Sequence, residues 1–316
     1  MSALPHALQQ TVRELTVGQH GLKESAGRIS AHYRQLGASR GVIGASADAL
    51  AYALSRMPAT YAAVSAVLAE LRRRAPEFVP TAVLDVGAGP GTAAWAAAET
   101  WPGLATTLLD HNREFLAVAQ ALAPHSSAGA VDLRAGEIGA FELAAGFGLV
   151  TCAYALTELA DDALLEAASR LWRHSDGVLV LVEPGRPRDY QRLMTIRAHL
   201  VGQGAKVLAP CPHDRACPLE APDWCHFTVR LNRSRDHMRM KGGTLGYEDE
   251  KYSYLVVARP GLGEPAAGRV LRRPEETKFS VSLRTCAPDG IEQRTVQSRD
   301  KAAFKAARKL DWGDAV

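Results

Sequence analysis

The segment Val83–Thr92, VLDVGAGPGT, restricts the fold of this chain more than any other stretch. A short apolar run, Ala82 to Val86, ends at glycines 87, 89 and 91 and gives way to the alanine-rich Gly91 to Thr100. That order predicts a buried strand, a tight turn and a helix. Glycine at alternate positions lets the backbone turn sharply and approach a ligand closely, as nucleotide-cofactor loops require. Asp85 stands two residues before the first glycine, where it can meet a ligand ammonium group directly or through water. Asp110 ends the next apolar run, Ala105 to Leu109, where a carboxylate can accept both hydroxyls of a ribose. Pro90 removes one of the N–H groups that a pyrophosphate would use, which disfavours a dinucleotide.

The loop resembles motif I of class I S-adenosylmethionine-dependent methyltransferases. The resemblance places cofactor contacts at Asp85, Gly87, Ala88, Gly89, Gly91 and Asp110, with Glu137 on the adenine side. The flanking pattern agrees. Strand signals at Val131–Ala135, Leu149–Tyr154 and Gly177–Val182 alternate with helical ones at Arg113–Leu122, Asp161–Trp172 and Arg188–Val201. This rhythm predicts an α/β fold with a doubly wound, Rossmann-like parallel sheet. About 78 residues of helical pattern precede it, broken at Pro58. Strands are expected again at Tyr252–Ala258, Phe279–Thr285 and Ile291–Val296, and a basic helix at Asp300–Leu310.

The position after the fourth strand reads TCAYALTELAD, without the Asn/Asp-Pro-Pro-aromatic loop of amino-methylating nucleic-acid enzymes. No side chain presents itself as a catalytic base, so the catalytic residues are unknown and turnover is left open. Cys152 lies inside the strand and reads as a buried structural thiol.

The other cysteines behave differently. Cys211, Cys217 and Cys225 share one loop, CPHDRACPLEAPDWC, and Cys286 closes a later apolar run. A proline-rich loop carrying three thiols in a chain without an export signal points to metal or iron–sulfur binding, not to disulfides. The spacing is not that of a common zinc ribbon, and four thiolates suit either zinc or an iron–sulfur cluster. His213 and His226 are alternative ligands. The region Pro210–Gly246 is too poor in aliphatic residues to build a packed core and must be ordered by something else.

The net charge of +3 is unevenly distributed. From Glu183 onward there are 24 basic and 17 acidic residues, against 13 and 17 before it. Arg230, Arg233, Arg235, Arg239 and Lys241 crowd together just after the cysteine loop. Guanidinium groups in such a cluster suit an RNA phosphate backbone. No apolar run approaches the roughly 18 residues of a membrane span, so no membrane partner is expected. The N-terminus lacks a signal-peptide pattern, and Glu14 and Glu24 argue against a transit peptide; a bacterial cytoplasmic protein, as a monomer, is expected.

Taken in order, AYALSRMPATYAAVSAVL, LDVGAGPGTAAWAA, ALTEL, LVEPG, CPHDRACP with WCHF, and the terminal ARKLDWGD resemble the mitoribosomal small-subunit methyltransferase-like family. Where that family is expected to continue LVEPG with a Gly-Thr-Pro-like turn, this chain has RPRDY. The resemblance implies a class I methyltransferase fold binding S-adenosylmethionine and a 4Fe–4S cluster on Cys211, Cys217, Cys225 and Cys286. It also implies binding to small-subunit (16S-type) ribosomal RNA in ribosome assembly or translation. An active rRNA methyltransferase with a structural zinc site is the alternative. The expected organisation is a helical region (1–78), a Rossmann-like core (79–209), a cysteine-rich basic insertion (210–250) and a C-terminal region (251–316) contributing strands to the core sheet.

Overall fold

A computed structural model of the chain describes residues 3–34, 41–143, 146–241 and 244–316, with Arg34 and Lys241 described by backbone alone. Four helices come first: α1 (His6–Leu15), α2 (Leu22–Arg34), α3 (Ser46–Ser55) and α4 (Met57–Arg74). Pro58 occupies the first turn of α4, where its missing N–H costs no helical hydrogen bond, so it separates two helices instead of kinking one. Val64, Leu68 and Leu71 lie one helical turn apart on α4 and are fully buried.

The core alternates as its apolar pattern predicts: β1 (Ala82–Val86), α5 (Thr92–Thr100), β2 (Ala105–Asp110), α6 (Arg113–Leu122), β3 (Val131–Ala135), β4 (Phe147–Ala153), α7 (Asp161–Arg173), β5 (Ser175–Pro184) and α8 (Pro187–Gly202). Then come β6 (Lys206–Ala209), β7 (Phe227–Asn232), α9 (Arg235–Lys241) and β8 (Tyr247–Ala258). The eight-stranded sheet runs β3-β2-β1-β4-β5-β8-β6, with β7 also on β8. Strands β1 to β5 are parallel, and β8 is antiparallel to β5. This is the class I methyltransferase form of the Rossmann-like sheet.

Period-two alternation divides the core into two layers. Along β5, Val178, Val180 and Val182 join Leu68 and Trp95 in the layer under the N-terminal helices, while Leu179 and Leu181 face Leu171 of α7 and Leu193 and Leu200 of α8. Both faces are covered, which explains why β1 and β5 read as continuous apolar runs. Cys152 lies on the α7–α8 side and is fully buried, a structural position.

A smaller four-stranded sheet follows, formed by β9 (Arg269–Val270), β10 (Glu275–Glu276), β11 (Ser280–Ala287) and β12 (Gly290–Gln297), with α10 (Lys301–Ala307) over a modest core of Val281, Leu283, Val296 and Ala307. Within Pro210–Gly246 the structure corrects the expectation of a coreless region. Phe227 and Leu231 alternate inward and are buried, so this segment gains an edge strand from β8 as well as order from the cysteine loop. The expected division at residue 250 falls inside β8.

One ion pair ties the first helices to the last strands. The Arg269 guanidinium donates to Glu70 Oε1 at 2.6 Å and to the carbonyls of Pro210 and Gly313 at 3.1 and 2.9 Å. Both charged side chains are buried, at 3% and 5% exposure. Removing one partner leaves a buried charge uncompensated. Glu70→Ala is therefore expected to cost about 3–5 kcal/mol, read as a lowered midpoint in urea unfolding. Exposed Glu292→Ala should leave that midpoint within about 0.5 kcal/mol of the parent.

Candidate cofactor and metal sites

The glycine loop is held at both ends. Gly87, Gly89 and Gly91 have φ values of 69°, 55° and 84°, the left-handed region that glycine enters without strain. The N–H groups of Gly87 and Ala88 donate to the Leu109 carbonyl, and Gly89 N–H donates to Asp110 Oδ2 at 2.7 Å. Asp110 Oδ1 accepts from Asn112 N–H at 2.8 Å, and Asn112 caps α6 through Glu114 and Phe115 N–H. A Cβ at Gly91 would meet the Trp95 ring at 2.5 Å, and one at Gly87 would meet Ala155 at the same distance. The loop is thus a shaped surface at the carboxyl ends of β1 and β2, where open α/β sheets bind ligands.

Asp85 has a different place from the one its spacing predicts. It is 1% exposed, and its oxygens accept from Ala94 N–H at 3.0 Å and Thr151 Oγ1 at 2.8 Å. It braces loop, helix and β4 from beneath. Glu137 is exposed just beyond β3.

Beyond the carboxyl end of β4 lies an open cleft lined by Tyr33, Tyr52, Arg56, Tyr154 and Glu250, among others. Tyr154, directly after β4, has a φ of 59° and donates its hydroxyl to Glu250 Oε1 at 3.0 Å. A bulky residue held in that conformation is characteristic of functional sites. Glu183, at the end of β5, accepts from the N–H groups of Leu156 and Thr157 and so clamps the ALTEL turn against LVEPG. Sequence reading missed Tyr154 and Glu250 because neither belongs to a spaced motif; the tyrosine's position after the fourth strand was the available signal.

Cys211, Cys217, Cys225 and Cys286 line a single apolar pocket, with Tyr190, Pro210 and Arg269 in its wall. The first three come from the loop after β6 and the fourth from β11, so tertiary folding alone unites them. All four are free thiols. Burial pushes Cys225 well above the usual thiol range and Cys286 up to about 12. Among the described residues, no three Cys, His, Asp or Glu side chains are arranged to hold one metal ion. Two orphan polar groups accompany the thiols: Arg197, 2% exposed, lies beside Cys211 with its Nε unpartnered, and His213 Nδ1 in the same loop is likewise without a hydrogen-bond partner. A buried cation without a carboxylate next to four sulfurs fits an anionic sulfur centre.

The histidines are placed otherwise. His226 stacks on Trp224 at 4.6 Å and meets Trp312 edge-on. His213 Nε2 is 3.8 Å from Cys286 Sγ.

The basic residues are partly engaged. Arg230 makes a two-pronged contact with Asp249 at 2.7 Å and lies over Tyr247, and Arg233 pairs with Glu248 at 3.2 Å. Arg235 and Arg239 are exposed on α9, and the side chain of Lys241 lies outside the described residues.

The model of the family described as "Mitochondrial small ribosomal subunit Rsm22" matches residues 46–316. The chain belongs to this family. It is 28% identical over 314 residues to the human ribosome assembly protein METTL17, covering 90% of this chain and 64% of that one. It is 24% identical to the Rsm22-cox11 tandem protein 1 of Schizosaccharomyces pombe, over 84% and 42% of the two chains. The chain thus spans less than two thirds of the length of these curated relatives. Among solved structures, the N-methyltransferase NodS from Bradyrhizobium japonicum aligns with a TM-score of 0.45 at 14% identity, over 72% and 98% of the chains. The family match corrects the expected bacterial cytoplasmic setting: METTL17 and the tandem protein are both mitochondrial proteins. The N-terminal features that prompted that expectation report only the lack of a familiar targeting pattern. Among the described residues no helix is long and apolar enough to cross a membrane.

The buried Asp85 gives the loop a measurable pH signature. Burial, outweighing the hydrogen bonds from Thr151 and Ala94, raises its pKa from 3.8 to about 7. The folded state therefore holds a proton that the unfolded state has released, and stability contributed by this group falls as pH rises from about 4 to 7. Asp85→Asn should remove that slope, by an amount on the order of a few kcal/mol. Urea unfolding at several pH values between 4 and 7 measures it; a variant with the parent's slope contradicts the assignment.

Proposed function

We propose that this chain is a methyltransferase-like protein that binds S-adenosylmethionine, holds a 4Fe–4S cluster, and binds small-subunit ribosomal RNA in ribosome assembly. The observation that carries the reading is the convergence of Cys211, Cys217, Cys225 and Cys286 on one cavity from separate parts of the chain. Four thiols and no carboxylate in the pocket lining suit a polynuclear centre of Cys₄ type, the centre that the family resemblance implies. Gly87, Ala88, Gly89 and Gly91 would face the cofactor, Asp110 its ribose, and Glu137 its adenine side. Asp85 supports that surface from below. Arg230, Arg233, Arg235, Arg239 and Lys241 would meet RNA phosphates, the first two by exchanging carboxylate partners. The description of METTL17 as a ribosome assembly protein supports the ribosomal part.

Anaerobically purified protein should be brown, with iron and sulfide near four each per chain and a broad visible band. Single Cys→Ser changes at 211, 217, 225 or 286 should lose cluster and melting temperature together, because ligation and local folding are coupled. A colourless protein carrying one zinc, or four variants with parental metal content, defeats the cluster reading. Gly87→Val should abolish S-adenosylmethionine binding in calorimetry, since its side chain would occupy space taken by Ala155.

The cavity of Tyr154 and Glu250 favours turnover as a second reading. Methyl incorporation into small-subunit RNA, lost in Gly87→Val, tests it.

A further inference from the structure

Helix α8 carries Tyr190, Leu193, Met194 and Arg197 at helical spacing; the first three line the cysteine cavity, and Arg197 lies beside Cys211. Two of these residues bear polar groups that the rest of the fold does not explain. The Tyr190 hydroxyl lies 3.0 Å from Cys217 Sγ. The Arg197 guanidinium donates to the His213 carbonyl at 2.5 Å, leaves its Nε unpartnered, and forms no carboxylate pair among the described residues. Arg269, the other buried guanidinium here, has Glu70 to balance it. Arg197 has nothing comparable. Burying a cation without an anion is strongly unfavourable, so the missing anion belongs in the cavity.

We propose that Arg197 is the counter-charge, and Tyr190 the hydrogen-bond donor, of the cluster held by the four cysteines, and that together they raise its reduction potential and keep it bound. The inference rests on the cluster reading above. Four thiolates around a [4Fe–4S]²⁺ core carry a net charge of −2, and one electron takes this to −3. A fixed positive charge and an O–H donor at sulfur favour the more negative state.

The test is an anaerobic titration of the cluster-loaded protein with dithionite as electron donor, followed by visible absorbance and by paramagnetic resonance of the reduced form. Tyr190→Phe and Arg197→Gln should each lower the reduced-to-oxidised ratio at a fixed potential about tenfold, equivalent to a shift of about 59 mV for one electron. Arg197→Lys should restore much of the loss, because it returns the charge. Tyr190→Phe removes a single oxygen and keeps the question open to disproof should the arginine variants fail to fold. A parent protein without iron and sulfide overturns the cluster reading and this inference with it. A parent cluster whose potential is unchanged in Tyr190→Phe and in the folded Arg197 variants overturns this inference alone.

Discussion

The buried contact between Glu70 and Arg269 is the constraint on which the distinctive part of this molecule depends. A carboxylate from the fourth helix reaches a guanidinium 199 residues later, and the same guanidinium holds the Pro210 and Gly313 carbonyls. Those carbonyls belong to the entrance of the cysteine loop and to the C-terminal segment. The arginine therefore fixes three separate stretches around the cavity wall it helps to form. Hydrogen bonds from Val270 to Asp314 and from Gly268 to Val316 continue the closure, and Trp312 packs on His226. The terminal WGD segment is thus a structural latch on the cysteine loop. A salt bridge this deep contributes little net stability over an apolar contact, but it strongly penalises any arrangement that separates its members. It acts as a specification of register between distant segments.

The glycine loop is organised by two buried carboxyl groups. Asp110 is occupied with the backbone N–H groups of Gly89 and Asn112, and Asp85 with Ala94 and Thr151. The two carboxylates pin opposite sides of a glycine turn that has few side chains of its own. They supply side-chain partners to a turn whose three alternating glycines have none of their own. The same alternation of small residues brings Ala155, and so the Tyr154 cavity, against the loop.

Much of the central fold was legible because period and length agree. Ala82–Val86, Val131–Ala135 and Arg113–Leu122 appear in the structure with the bounds their patterns give. The edge strand Phe227–Asn232 was not legible. Only Phe227 and Leu231 are fully buried, Val229 between them is half-buried, and the flanking run of histidine and arginines reads as loop. The cysteines were legible as a set by chemistry, yet their meeting depends on β11 reaching the loop, a contact invisible to spacing. Asp85 was recognised as special but its direction was not, since a strand's alternation gives a face and not the occupant of that face. Tyr190 and Arg197 went unnoticed because on α8 they read as ordinary helical positions; only their partners, a sulfur and an absent carboxylate, set them apart.

The basic half of the chain shows how composition and local charge diverge. Arg272, Arg273, Arg284 and Arg308 each stand within ion-pair distance of a carboxylate, as do Arg230 and Arg233. Those of the pairs that are exposed contribute little to stability, so exchanging their carboxylates for phosphates costs little; Arg233–Glu248, at 16% exposure on both sides, is the exception. Under the RNA-binding proposal, such a surface would attract a polyanion through its overall excess of positive charge and bind it by trading partners, releasing Asp and Glu to solvent as counterions leave the nucleic acid. Affinity would then respond steeply to salt. The carboxylates impose a threshold: an isolated phosphate gains almost nothing by displacing Asp249 from Arg230, whereas a continuous backbone displaces several carboxylates at once. Under the RNA-binding proposal, a paired basic face would therefore favour an extended polyanion over small anions, in a way that unpaired lysines would not.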